Sequence, residues 1–393
     1  MHQAEKSKQV RSLFSFSAFH FLDDGFSDSL YLLLPFISAE LNLSFSQVGF
    51  LKGVSSSMSL LQFPLSLLGE RIGELTVIVA GTFGLASGFL IMSKVFTFPG
   101  ILLSLIFAKG TAAGQHGLSS SILSRVFEVS GRRTAMGTYN FFGDMGKVCL
   151  PFLVAVMISL WDWRQAVFLL SIGGLAAGGL LWSLVRRERE VYLLPPPHGE
   201  SILKESGWGI RDRTSFSALL TIGVIDISTR AALLTFLPFL LLQKGIPGTQ
   251  VSFALTLIFA GGAVGKFICG VLAEWLGIIP MVIGTEILTA AGILSLAYSP
   301  TSVIWIILPF IGIVLNGTSS VLYATVAEII SPQSRSRGYG LYYAVTLGCG
   351  AISPIFFGFI ADFFGLALTI ISTALLVLFT LPLSRYLKRA DIP

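Results

Sequence analysis

Residues 20–36 read HFLDDGFSDSLYLLLPF, the centre of an apolar run long enough to cross a bilayer that nevertheless holds Asp23, Asp24 and Asp28. A charged side chain at the bilayer centre costs roughly 2.5–3.5 kcal/mol on insertion scales, so such groups pair with one another or line a polar passage. The pattern recurs along the chain. Asp144, Asp226 and Glu286 join the three helix 1 acids inside apolar runs, and Lys52, Lys109, Lys147, Arg230 and Lys266 are the bases found there. A chain that keeps so many ionisable groups at membrane depth is built to move something polar.

Composition agrees. Hydrophobic residues make up 53% of the 393 and charged residues 12%, against about 25% charged in soluble domains. No single soluble core absorbs this balance, so the bilayer is the solvent. The net charge of +5 does not imply a nucleic-acid partner, because the bases outside the apolar runs lie in short loops and at the termini. Cys149, Cys269 and Cys349 are isolated in apolar runs, which predicts small buried hydrophobes rather than a disulfide framework.

Spans are expected at 13–37, 46–69, 75–94, 98–124, 134–160, 165–185, 215–242, 249–273, 278–298, 301–328, 337–361 and 365–387. The first is too long and too acidic for a cleaved signal peptide. With a cytoplasmic N-terminus, only Lys94, Arg164 and Lys244 among the loop bases fall on the far side. That asymmetry predicts both termini inside. The stretch 186–214, with RRERE at its start and three prolines at 195–197, is the expected cytoplasmic linker between a first bundle at 1–185 and a second at 215–393.

The halves repeat. At an offset of 203, Asp23 matches Asp226, Pro35 matches Pro238, Gly114 matches Gly317 and Pro151 matches Pro354. At 204, Glu70 and Gly73 match Glu274 and Gly277. Six crossings per copy give both the same orientation, the parallel-repeat plan of major facilitator transporters. The fold class expected is therefore an all-α membrane protein of twelve transmembrane helices in two pseudo-symmetric six-helix bundles.

Local motifs resemble the same superfamily. Ser66-Leu-Leu-Gly-Glu70-Arg71-Ile-Gly73 is similar to its G-x-L-a-D-r-x-G loop, and Gly270-Val-Leu-Ala-Glu274-Trp-Leu-Gly277 matches better. The first copy departs in having Ser66 for glycine, glutamate for aspartate, and Glu74 where a base is usual. The resemblance implies that Glu70, Arg71 and Glu274 belong to a conformational loop whose acid engages a neighbouring helix end. His20-Phe-Leu-Asp23-Asp24 followed by Leu34-Pro35 looks like the fosmidomycin-resistance-like efflux branch, and carries His20 and Asp24 over as its functional pair. Gly114-Gln115-His116 fits that branch in its histidine and lacks its proline. The glycine-rich fifth span, Gly137 through Gly143, Gly146 and Pro151, resembles the antiporter signature of drug-efflux members.

The resemblance also implies that spans 1, 4, 7 and 10 surround a central cavity, and the charges follow that layout. On span 1, His20, Asp24 and Asp28 form one stripe at i, i+4, i+8, with Asp23 rotated by about 100°. Carboxylates crowded in low dielectric take up and release protons near neutrality, so Asp24 first, then Asp23, Asp28 and His20, are the expected proton- or cation-coupling residues. Lys109 and His116 on span 4, Asp226 and Arg230 on span 7, and Asn316 and Tyr323 on span 10 are the expected substrate contacts. Asp144 and Lys147, three apart, suit a structural or coupling pair. Lys52 and Lys266, nearer span ends, are expected to snorkel. Glu286 is expected to contact a neighbouring helix.

HExxH, GxSxG and GxxxxGK[ST] are all missing, so no enzyme or ATP-driven pump is expected. The expectation is a secondary transporter in the inner or plasma membrane that alternates access by rocking its halves. It exports a small anionic or zwitterionic molecule against protons, with no cofactor, no bound metal and no nucleic-acid partner, as a monomer. Proton-coupled uptake, metal-cation transport using the helix 1 acids and histidines, or a non-transporting sensor on the same fold are the alternatives.

Overall fold

The computed structural model describes residues 2–127, 131–186, 209–331 and 335–387. Most of the expected linker lies outside them, as do Arg187, Arg189, Lys204, Lys388 and Arg389, and so do the side chains of Arg132, Arg133, Arg335 and Arg337. Among the described residues the chain is helical, with one isolated antiparallel bridge, Ile210 to Ile330.

Two compact units emerge. The first holds residues up to 41 together with 58–199, and the second holds 42–57 together with 200–393. In the first unit α1 is His2–Leu41, α3 Gln62–Ile72, α4 Glu74–Met92, α5 Phe98–Ala112, α6 Gln115–Val126, α7 Arg132–Leu160 and α8 Trp163–Val185. The second unit takes α2, Phe45–Ser57, and continues with α9 Arg213–Gln243, α10 Gly248–Leu276, α11 Ile278–Tyr298, α12 Thr301–Ile329, α13 Arg335–Phe364, α14 Leu366–Leu378 and α15 Thr380–Ser384.

Nine helical stretches among the described residues are long and apolar enough to cross a membrane. Of the other three expected spans, 46–69 and 98–124 are each interrupted. In the first, a 3-10 turn at Met58–Leu61 precedes Pro64, whose missing N–H and steric bulk suit the first turn of a new helix. In the second, Ala113 and Gly114 part α5 from α6. Helix α1 is long enough, but its own acids exclude it from the purely apolar set.

Large apolar side chains lie on the outside as well as in the core. Phe267, Trp275 and Phe363 are 75–79% exposed, while His20, Asp23, Asp24 and Glu286 are buried. Large apolar side chains turned outward along helices that satisfy their own backbone is the arrangement lipid demands. Of the cysteines, Cys269 alone is buried, and Cys149 faces outward, contrary to expectation.

The turns after α3 and α10 are built alike. Gly73 and Gly277 both sit at positive φ, 97° and 86°, where a side chain would strain the backbone. These are the glycines that the sequence repeat pairs.

Candidate functional site

Helix α1 runs along α7 at a separation only glycine permits. A Cβ on Gly146 would lie 2.1 Å from the carbonyl oxygen of Phe21, and one on Gly143 would lie 2.4 Å from Cε1 of His20. Small residues are how membrane helices approach closely, and here the approach brings the α1 stripe against Tyr139, Asp144 and Lys147.

His20 is the pivot. Its Nδ1 lies 2.9 Å from the backbone carbonyl of Tyr139, and its ring stacks on the Tyr139 ring with centroids 4.1 Å apart. A carbonyl oxygen only accepts, so Nδ1 carries a hydrogen. Nε2 then faces Asp24 Oδ2 at 3.2 Å. A neutral imidazole with Nδ1 protonated presents a lone pair there, and two acceptors do not share a contact. One proton must therefore lie on Nε2 or on the carboxyl. The hydrogen bond that one ring nitrogen makes fixes which nitrogen of a neutral histidine carries the proton.

The pair is not isolated. His116, half-exposed on α6, points Nε2 at Asp23 Oδ2 at 3.3 Å and at Asp24 Oδ1 at 3.4 Å. Lys147 Nζ lies 3.0 Å from Asp24 Oδ2 and 3.4 Å from Asp144 Oδ1. The expected Asp144–Lys147 contact is thus present, but the closer partner of Lys147 is Asp24 on another helix. Asp28 completes the charged neighbours of Lys147. Lys109 on α5 donates to Ser27 Oγ, which in turn donates to the carbonyl of Asp23. Tyr139 and Gln115, a residue the sequence reading passed over, meet at 3.4 Å beneath this layer. One oxygen of Asp23 is buried without a hydrogen-bond partner among the described residues.

Donor atoms of His20, Asp24 and His116 lie within 4.8 Å of one another, a spacing a metal ion tolerates. The Lys147 ammonium is the cation beside Asp24, in a cluster of two imidazoles, four carboxyls and that amine.

A second polar group lies in the other unit. Arg230 on α9 donates to Asn316 Oδ1 and Ser319 Oγ of α12, both at 3.2 Å, and stands 3.8 Å from Asp226 Oδ2. Of the expected contacts, Tyr323 is not in this group. It is 41% exposed and packs against the rings of Tyr339 and Tyr343 at 4.6 and 5.3 Å. Glu286 is fully buried on α11 with neither oxygen hydrogen-bonded among the described residues, and the charged groups that act on it are Asp226 and Arg230 of α9. Lys52 is likewise buried rather than snorkelling.

The sequence pattern of the Major Facilitator Superfamily matches residues 13–221 and again 219–392. The chain belongs to this family. It is 22% identical over 355 residues to the fosmidomycin resistance protein of Escherichia coli (strain K12), covering 87% of this chain and 84% of that one. Its fold is similar to that of a bacterial homologue of the human lysosomal transporter Spinster, inward-facing and occupied, with TM-score 0.78, 16% identity and 95% of each chain covered. A nucleoside transporter, NupG, superposes with TM-score 0.77 and 13% identity over 96% of this chain and all of that one. Family membership makes the chain a non-enzymatic, multi-pass integral membrane transporter, with a lipid bilayer around it and a small molecule as its substrate.

Within this major facilitator chain the acid of the loop motif that bonds to a neighbouring helix is Glu74. Glu70, Arg71 and Glu274 are exposed. Glu74, the departure from the pattern, accepts from Ser121 Oγ at 2.8 Å and forms a two-pronged ion pair with Arg125, binding the start of α4 to the end of α6. At the other end of the unit Arg164 holds Glu40 at 2.7 Å, donates to the carbonyl of Val95, and lies 4.0 Å from the Phe96 ring centroid. Trp163 Nε1 also donates to Glu40. Beyond the apolar run of α1, the Arg164 hydrogen bonds hold the Glu40 carboxyl below the usual glutamate range, against a smaller opposing effect of burial and with help from Trp163.

Proposed function

We propose that this major facilitator chain is a twelve-span proton-coupled exporter of a small anionic or zwitterionic molecule, resident in the cell's inner or plasma membrane with both termini in the cytoplasm. Its two bundles, 1–185 and 215–393, expose the binding groups to each side in turn.

The observation that carries the reading is the proton required between His20 and Asp24. With Nδ1 committed to the Tyr139 carbonyl, the pair must hold one proton more than a neutral imidazole beside a carboxylate. Lys147 competes for the same carboxylate from α7, so holding that proton and pairing with the ammonium are alternative ways to offset the charge of Asp24. A group with two competing partners on two helices suits coupling of protonation to helix movement. In this reading Asp24 is the coupling carboxyl, supported by His20, Asp23 and Asp28, and Asp144 receives Lys147 when Asp24 is protonated. Lys109, His116, Asp226, Arg230, Asn316 and Tyr323 are the proposed substrate contacts, with Lys109 and Arg230 as the cations for an anionic group. The likeness to the fosmidomycin resistance protein makes fosmidomycin the first probe.

The test uses the full chain in proteoliposomes with an internal pH dye. Adding fosmidomycin to wild type is expected to start a proton flux that Asp24→Asn abolishes. Equal fluxes in the two would reject Asp24 as the coupling site.

A further inference from the structure

Glu286 plays no part in the reading above, yet it is the most completely buried charged residue of the second unit. Its side chain is 0% exposed on α11, and both carboxyl oxygens lack a hydrogen-bond partner among the described residues. Ionising a carboxyl there removes it from water and returns no donor, a penalty of several kcal/mol. Two charged groups face it, Asp226 and Arg230 of α9, and Tyr342 of α13 faces the same pair. Of the helices packed on α11, α14 and α15 carry no ionisable residue, while α10 carries Lys266, Cys269 and Glu274 and α12 carries Tyr323 and Glu328. Asn316 and Ser319 of α12 bring neutral groups to Arg230.

Charge counting then decides the protonation. Two buried carboxylates and one guanidinium leave one negative charge, and a single proton neutralises it. Asp226 has Arg230 at 3.8 Å, whereas Glu286 has no donor, so the proton belongs on Glu286. Further polar atoms sit alongside. Thr229, three residues past Asp226, and Thr289, three past Glu286, are buried with hydroxyl oxygens lacking partners among the described residues. Residues three apart share a helix face, and unmatched buried hydroxyls are where ordered water bridges polar groups.

We propose that Glu286 is a proton-binding site in the second unit, linked to Asp226 through their shared Arg230. An anionic group arriving at Arg230 draws the guanidinium from Asp226, and Asp226 then takes one proton from solution for each anion bound, while Glu286 keeps its own. The coupling rests on the carrier reading, but the proton on Glu286 does not.

Infrared spectra of the purified full chain in detergent test it without any substrate. At neutral pH wild type is expected to show a protonated-carboxyl component that Glu286→Gln removes and Asp24→Asn retains. Thermal unfolding supplies a second readout. Wild type is expected to lose stability from neutral to alkaline pH as Glu286 is forced to ionise, and Glu286→Gln to lose that slope. An unchanged band in Glu286→Gln overturns the proposal. So does failure of Glu286→Gln to fold, because glutamine reproduces the shape and neutrality of the protonated acid. Loss of proton flux in Asp24→Asn, or its retention, bears on the first unit alone.

Discussion

At position 143 the absence of a side chain decides whether His20 can occupy its place. A Cβ there would lie 2.4 Å from His20 Cε1, 2.5 Å from Nε2 and 2.8 Å from Asp24 Oδ2. Neither ring nor carboxyl can withdraw cheaply, since the ring is held by the Tyr139 carbonyl and the carboxyl by Lys147. Gly143→Ala is therefore expected to lower stability by about 1–3 kcal/mol, the usual cost of overpacking, read as a drop in unfolding temperature in detergent. Gly137→Ala, with nothing within 4 Å of the added carbon, should leave that temperature unchanged or raise it slightly. The ionisable members of the cluster were legible in the sequence, because carboxylates within an apolar run have few bland explanations. The carbonyl of Tyr139 was not, because main-chain acceptors carry no residue-type signal and become visible only when two helices are set side by side.

Single helices show the same division. The apolar segments announced themselves by hydropathy, but the interruptions at Met58–Leu61 and Ala113–Gly114 have no hydropathic signature, and only Pro64 hinted at the first. The turn signature marked Glu70 and Glu274, while the ion pair that joins two helices falls to Glu74 and Arg125. Pattern reading follows what relatives share, and this contact depends on where α6 ends. Arg164 was legible only as a loop base, although it ties α1 to the chain between α4 and α5. Its hold on Glu40 predicts a pH dependence with a definite sign. The native carboxyl ionises more readily than the unfolded one, so its contribution is complete above the unfolded value of about 4.3. It is lost as pH falls through the lower native value. Wild type should thus melt higher than Glu40→Gln at neutral pH, and the gap should close below about pH 4, measured by thermal unfolding across that range. A gap independent of pH would mean that packing, not charge, joins these helices.

Across the whole chain, the sequence repeat and the linker at 186–214 suggest a division into two successive halves, and contacts divide it differently at one place. Helix α2, although encoded in the first half, belongs to the second unit. The reason is steric. A Cβ on Gly49 would lie 2.0 Å from the Pro354 carbonyl oxygen, one on Gly53 2.6 Å from that of Ala351, and one on Gly358 2.5 Å from that of Phe45. Asp362 adds two hydrogen bonds to the first N–H groups of α2, at 2.7 and 2.9 Å, where a helix N-terminus favours negative charge. No composition or repeat analysis reports this, because it depends on which glycines of two distant helices meet. It has a consequence for a chain cut in two. Fragments 1–199 and 200–393, expressed together, should co-purify through a tag on either one, since the first fragment carries a helix whose packing partner is in the second. Gly49→Leu forces a branched side chain into a space bounded by backbone, which cannot give way. It should therefore reduce recovery of the untagged fragment severalfold while leaving the tagged fragment soluble. Recovery equal to that of the unsubstituted pair would show that α2 is held by something other than this close approach.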